Sequence, residues 1–197
     1  MILARRSKLR SAIGRTCLWV TVWLPSGTPA KRPTALPPRS KEVRPIMMPG
    51  DLKELLRVLN AHGVKFLVVG GYALGAWTEP RATKDLDIFI RSDEENSEAI
   101  YRALADFGAP LHDLSPADFR DGSCFQIGNP PARIDILQQI DGITFDEAWK
   151  GRVEAYIEGE IRVAVISRED LIRNKLASGR EQDLLDVKKL RASASQQ

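Results

Sequence analysis

Cysteine and histidine are scarce, with two of each in 197 residues. Cys17 and Cys124 make neither a disulfide framework nor a metal-ligand cluster, and thiols this sparse fit a reducing cytoplasm. His62 and His112 stand alone without ligand spacing, so zinc chemistry built on Cys and His is excluded. Long apolar runs are also missing. Cys17-Leu-Trp-Val-Thr-Val-Trp-Leu24 is far shorter than a membrane span, and no internal repeat is present. What remains is an ordinary soluble composition, 43% hydrophobic and 28% charged, long enough to bury one core with an appendage.

Acidic residues are almost absent from the first quarter. Residues 1–49 carry ten Lys or Arg against Glu42 alone, a balance of +9; taking this from the total of +3 leaves −6 for residues 50–197. The basic pI thus belongs to the leader, and the body is acidic, which argues against a strongly basic nucleic-acid binder. The leader is rich in Arg, Pro and Ser, with Leu36-Pro-Pro-Arg39 and Arg44-Pro45 hostile to helix. It reads as a disordered leader, or as sequence upstream of a true start near Met47-Met48. A targeting segment and a basic nucleic-acid-binding arm are the alternatives. The expected organisation is a leader over 1–49, a folded domain over 50–192 and a tail over 193–197.

In the body, Leu52, Leu55, Leu56 and Leu59 fall at i, i+3, i+4 and i+7 behind Asp51 as N-cap, and predict an amphipathic helix ending near Gly63. Residues 65–69 and 86–90 read as buried strands, with a short helix over 72–77 and a loop over 78–84 between them. Ser92 caps a helix through about 107, and Ser115-Pro-Ala-Asp118 has the form of a capping box. Two more strands follow over 123–127 and 132–138, separated by Gly128-Asn-Pro-Pro131. A helical turn is expected over 145–149, a hairpin over 153–157 and 161–166, a helix from Ser167 to about 178, and a last helix over 180–192. This order of elements predicts an α+β fold, a small mixed sheet with helices packed on it and a C-terminal helical pair.

The chemistry concentrates in Phe66-Leu-Val-Val-Gly-Gly-Tyr-Ala-Leu-Gly75 and Arg81-Ala-Thr-Lys-Asp-Leu-Asp-Ile-Phe-Ile90. Asp85 and Asp87, at i and i+2 of a strand, share a face and repel each other unless a cation lies between them. Hard oxygen ligands favour Mg2+ or Mn2+. Gly70-Gly71 opens a helix whose free N–H groups attract phosphate. Asp135, inside the apolar strand Ala132-Arg-Ile-Asp-Ile-Leu137, needs a partner. Either it converges on Asp85 and Asp87 around metal, or it pairs with Arg133 or Lys84. Arg81 and Thr83 flank the loop, as phosphate-steering groups or as loop solvation and strand-end capping. Trp77 and Trp149 read as core or rim packing.

Gly-Gly followed after thirteen residues by Asp-x-Asp, with a later strand carboxylate, resembles the DNA polymerase β-type nucleotidyltransferase superfamily. The resemblance implies that Asp85, Asp87 and Asp135 are catalytic and hold the metals, Asp135 also orienting the acceptor hydroxyl, and that Gly70 and Gly71 hold the triphosphate of an NTP substrate. Position 71 is Gly where many relatives carry Ser. The segment 167–186 is similar to the C-terminal part of AbiEii-like nucleotidyltransferases, some of them toxins of toxin–antitoxin systems. Its Asp-x4-Lys element matches Asp170 and Lys175, and its acidic position matches Asp183 or Asp186.

Lys175 and Arg180 are candidate triphosphate contacts; a solvated helix face is the other reading for Lys175, and exposed pairing for Asp183 and Asp186. The expected activity is transfer of a nucleoside monophosphate from NTP to a hydroxyl on tRNA, a partner protein or a small molecule, in the cytoplasm, without membrane contact and with a cognate antitoxin or toxin as a further partner. The alternative is a non-catalytic nucleotide-binding or antitoxin-like module of the same fold.

Overall fold

The structure is a computed structural model that describes residues 9–10, 16–20, 44, 46–83, 85–111, 113–128 and 133–194, the first two segments as backbone only. His112, Lys84, the segment 129–132, most of the leader and the end of the tail lie outside the described residues.

The body folds as six strands and six helices. In chain order these are α1 (Gly50–Ala61), β3 (Phe66–Val68), α2 (Gly70–Trp77), β4 (Asp85–Ile90), α3 (Glu94–Asp106), a 3-10 turn (Pro116–Arg120), β5 (Cys124–Ile127), β6 (Arg133–Leu137), α4 (Phe145–Gly151), β7 (Val153–Ile157), β8 (Ile161–Val165), α5 (Arg168–Ser178) and α6 (Glu181–Ala194). Two short backbone strands of the leader, β1 (Leu9–Arg10) and β2 (Thr16–Val20), extend the sheet alongside β5, so its order is β1-β2-β5-β6-β4-β3-β8-β7. The β4–β6 and β3–β8 pairs run parallel, and β3–β4, β5–β6 and β7–β8 antiparallel. The expected mixed sheet flanked by helices is the fold observed.

The leucine stripe of α1 is fully buried, as its spacing requires. Two caps differ from expectation. Pro49 stands at the N-cap of α1, and Asp51 lies inside the first turn, where its charge suits the helix dipole. Asp93, not Ser92, caps α3 by accepting from the Asn96 N–H, while the Ser92 hydroxyl donates to the Gln138 carbonyl. Packing of the body begins before Gly50, since Ile46 and Met48 are buried and Ile46 bridges to Ile157. Cys124, read from the sequence as a sparse thiol, is disulfide-bonded, and the β2–β5 register sets Cys17 across from it.

Trp77 is a core residue whose indole N–H donates to the Ile166 carbonyl at 3.1 Å. Trp149 stacks on Phe145 under the Arg152 guanidinium, so both tryptophans pack as expected. Among the described residues no helix is long and apolar enough to cross a membrane.

Candidate active site

The register of three adjacent strands assembles the site. Asp85 pairs with Arg133, Asp87 with Asp135, and Asp135 in turn with Gln126. Because side chains alternate faces along a strand, these residues share one face of the sheet, with Phe89 and Leu137 in the row beyond them. All five polar groups line one cavity of about 390 Å3, together with Gly70, Gly71, Arg81, Thr83, Lys175 and Arg180. Every site residue expected from the sequence therefore borders the same space, apart from Asp186, which lies behind Lys175, and Asp170, which sits in the first turn of α5 behind its N-cap Ser167. Its carboxylate accepts from the Ser167 hydroxyl, and its backbone N–H donates back to that oxygen.

Gly70 and Asp87 are fitted to each other. Gly70 has φ +60°, and a Cβ there would lie 2.0 Å from Asp87 Oδ2. Only glycine lets that carboxylate lie over the first turn of α2, whose N–H groups have no intrahelical acceptor. At position 71 a Cβ would meet Thr83 Oγ1 at 2.7 Å and Thr83 Cβ at 2.9 Å. The departure from Ser thus has a steric reason: Thr83 fills the space, with its hydroxyl donating to the Asp85 carbonyl. Gly71→Ser is expected to cost about 1–3 kcal/mol, the scale of an overpacked site, and to be partly relieved by adding Thr83→Gly. Melting curves of the single and double variants check this.

The carboxylates are in tension. Burial, then Asp135 and Asp85, push Asp87 up to about 7, against the opposing pull of Arg180 and Lys175. Burial also raises Asp135, partly offset by the Gln126 hydrogen bond and by Arg133. Arg133 is the internal counter-ion, since its Nη2 hydrogen-bonds Asp85 Oδ2 and its Nε lies 3.5 Å from Asp135 Oδ1. Even so, Asp85 Oδ1 and Asp135 Oδ1 are buried without a hydrogen-bond partner.

A divalent cation fits this donor set of hard oxygens, two of them unsatisfied, beside a carboxylate whose charge is otherwise disfavoured. Among the described residues, however, no three Asp, Glu, His or Cys side chains already close around an ion-sized point. The carboxylates line a shared cavity, and the Arg133 guanidinium bridges Asp85 and Asp135.

A carboxylate raised in the fold stabilises the protein while protonated. That contribution is full below its unfolded value near 4 and is lost as pH rises through about 7. The metal-free protein is expected to melt several degrees lower at pH 8 than at pH 6, and Mg2+ to raise the melting temperature more at pH 8. Thermal melts with chelator and with Mg2+ measure both.

The basic wall differs most from expectation. Lys175 is neither solvated nor free to reach a phosphate: it is 4% exposed and donates to Asp183 Oδ1 and Asp186 Oδ2, each at 2.8 Å. Asp183 and Asp186 are likewise buried rather than on an exposed face. Arg180 donates to Asp183, and Arg81 to Asp186 at 3.3 Å. Burial alone would raise both aspartates, but the cations outweigh it and hold them low. The chain Arg81–Asp186–Lys175–Asp183–Arg180 thus orients two arginines at the cavity, and Arg81 Nε is buried without a partner. Three contributors were not singled out from the sequence: Gln126, Asn174 and Ser178. A lone glutamine in the apolar strand over 123–127 was the available signal for the first.

With this geometry in hand, a family model described as "Nucleotidyltransferase of unknown function (DUF6036)" matches residues 50–195. The chain belongs to that nucleotidyltransferase family. The crystal structure of the lincosamide antibiotic adenylyltransferase LnuA, lincomycin-bound, is similar to it, with a TM-score of 0.50 and 18% identity over 75% of this chain and 99% of that one. At that identity the likeness concerns the fold. Comparison with curated proteins finds no match.

Proposed function

We propose that this nucleotidyltransferase moves a nucleoside monophosphate from an NTP to the hydroxyl of a small molecule, with Asp85, Asp87 and Asp135 holding Mg2+ or Mn2+. The row Asp87–Asp135 beside the glycine-opened helix is the observation that carries the reading. A bound divalent cation would supply charge neutralisation at the triphosphate.

The chain's own residues do the rest. The first turn of α2 at Gly70 and Gly71, with Arg81 and Arg180, binds the phosphates. Thr83 fixes the loop against β4. Asp135 takes a hydrogen bond from the acceptor hydroxyl, and its raised pKa suits it to receive the proton. The acceptor oxygen bonds to the α-phosphorus as the bond to the bridging oxygen breaks, and pyrophosphate leaves with that electron pair. Positioning and charge complementarity supply most of the rate.

An acceptor that is small and cationic is favoured over RNA by the net negative charge of the body. The adenylyltransferase neighbour, solved with lincomycin, supports the same class. The AbiEii-like reading of 167–186 draws its support from the Lys175–Asp183–Asp186 element, and a toxin role would be tested by growth arrest on expression.

The decisive assay offers ATP, GTP, CTP and UTP with Mg2+ to small amino alcohols, to total RNA and to cell protein. Label is expected on the small molecules and to vanish with EDTA. Transfer to nothing, with NTP binding unaltered in Asp87→Ala, would remove the enzymatic reading in favour of a binding module.

A further inference from the structure

The row of site residues does not end at Asp135. On the neighbouring strand Gln126 stands directly opposite it, 5% exposed and on the wall of the same cavity. Gln126 Nε2 donates to Asp135 Oδ2 at 3.1 Å. This bond sets the amide: turned over, it would face a carboxylate with its own oxygen. The carbonyl Oε1 is therefore the group left over, and it is buried with no hydrogen-bond partner. An unpaired acceptor this deep in a cavity is costly unless a bound molecule supplies a donor.

On the facing residue, Asp135 Oδ1 is also without a hydrogen bond, with the Arg133 Nε 3.5 Å away. Leu137, two residues along the same strand face, and Ile140 add an apolar wall. The wall of the cavity formed by β5 and β6 therefore presents two unpaired acceptors on facing residues together with an apolar surface.

We infer that Gln126 determines acceptor specificity, its Oε1 and Asp135 together reading two vicinal donors, a 1,2-diol or a 1,2-amino alcohol on an apolar ring. One donor is the attacking hydroxyl, which Asp135 accepts, and the neighbouring O–H or N–H is held by Gln126. The inference rests on the acceptor-binding role proposed above for this cavity.

The probes are cyclohexane-1,2-diol, 2-aminocyclohexanol and cyclohexanol, which share the ring and differ in the second donor. Their binding to the full chain is measured by ligand-observed NMR, with no nucleotide required. The diol and amino alcohol are expected to bind at least about fivefold tighter than cyclohexanol, given the cost of an unpaired buried acceptor. Gln126→Met is expected to erase that ratio.

A residue that merely supported Asp135 would weaken all three probes alike and leave the ratio unchanged. Equal binding of the three probes to the wild-type chain overturns the inference whether or not any variant folds, and so does an unchanged ratio in a folded Gln126→Met. Failure of the nucleotidyl-transfer reading would show elsewhere, as absence of NTP-dependent labelling by the wild-type chain.

Discussion

Asp87→Asn is expected to lower nucleotidyl transfer at least about 10^3-fold while raising the melting temperature of the metal-free protein at pH 8. The two effects have one cause. Asp87 is half-buried on the cavity wall beside Asp135 and Asp85, where loss of water and like charge push its pKa up to about 7. The fold therefore spends stability to keep a negative charge where the proposed cation and phosphates would bind. Asparagine removes the repulsion at nearly constant volume, so the metal-free fold relaxes. It also removes a proposed hard anionic ligand, so charge neutralisation at the triphosphate is expected to be lost, on the scale of removing a main electrostatic stabiliser of the transition state. Activity assays, and melts with chelator at pH 6 and pH 8, separate the two halves. At pH 6 the stability gain shrinks, because wild-type Asp87 is then largely protonated. A variant that is both inactive and less stable at pH 8 would contradict this account.

Lys175→Met is expected to be among the most destabilising single substitutions in the chain. Lys175 is the shared cation of Asp183 and Asp186, which are 2% and 0% exposed. Removing one partner of a buried ion pair leaves uncompensated charge and costs about 3–5 kcal/mol, against total stabilities of about 5–15 kcal/mol. For a domain of this size that corresponds to a fall of very roughly 10 °C. Arg180, Ser178, Arg81 and Gln182 still reach the two aspartates and limit the loss. Their rearrangement should also draw Arg81 and Arg180 from the cavity and raise the KM for NTP in whatever fraction folds. A protein of wild-type stability would show the cluster to be dispensable. Acid acts in the same direction, because carboxylates held low in the fold lose their contribution as pH falls through and below about 4.

The two helices carrying that cluster mark where sequence reasoning ran out. On α5 and α6 the usual polarity is partly inverted: Lys175, Asp183 and Asp186 are inside beside Leu171, Val187 and Leu190, while Leu176, Leu184 and Leu185 are roughly half exposed. Periodicity assigns charge to solvent and leucine to the core, so it reads such a pair backwards. The glycine-to-aspartate segment was legible because its logic is local. A strand, a turn fixed by Gly70 and an i, i+2 carboxylate pair need only adjacent residues.

Asp135 was legible for a different reason, a charge in an apolar strand that demands a partner. Where it points depended on register: it stands opposite Asp87 and also lies near Arg133, while Lys84 lies outside the described residues. Gln126 followed the same rule more quietly, as a neutral polar residue whose need for a partner appears only once β5 lies beside β6. The Arg133–Asp85 contact likewise depends on a parallel pairing across 48 residues of chain.

The most direct test of the central claim follows the phosphorus. Wild-type protein, Mg2+ and an amino-alcohol acceptor are incubated with ATP labelled at the α-phosphate and, in parallel, at the γ-phosphate. The expected result is α-label on the acceptor in proportion to pyrophosphate released, no γ-label on it, and loss of both products in Asp135→Asn. Transfer of γ-label, or α-label transfer undiminished in Asp135→Asn, would contradict the account.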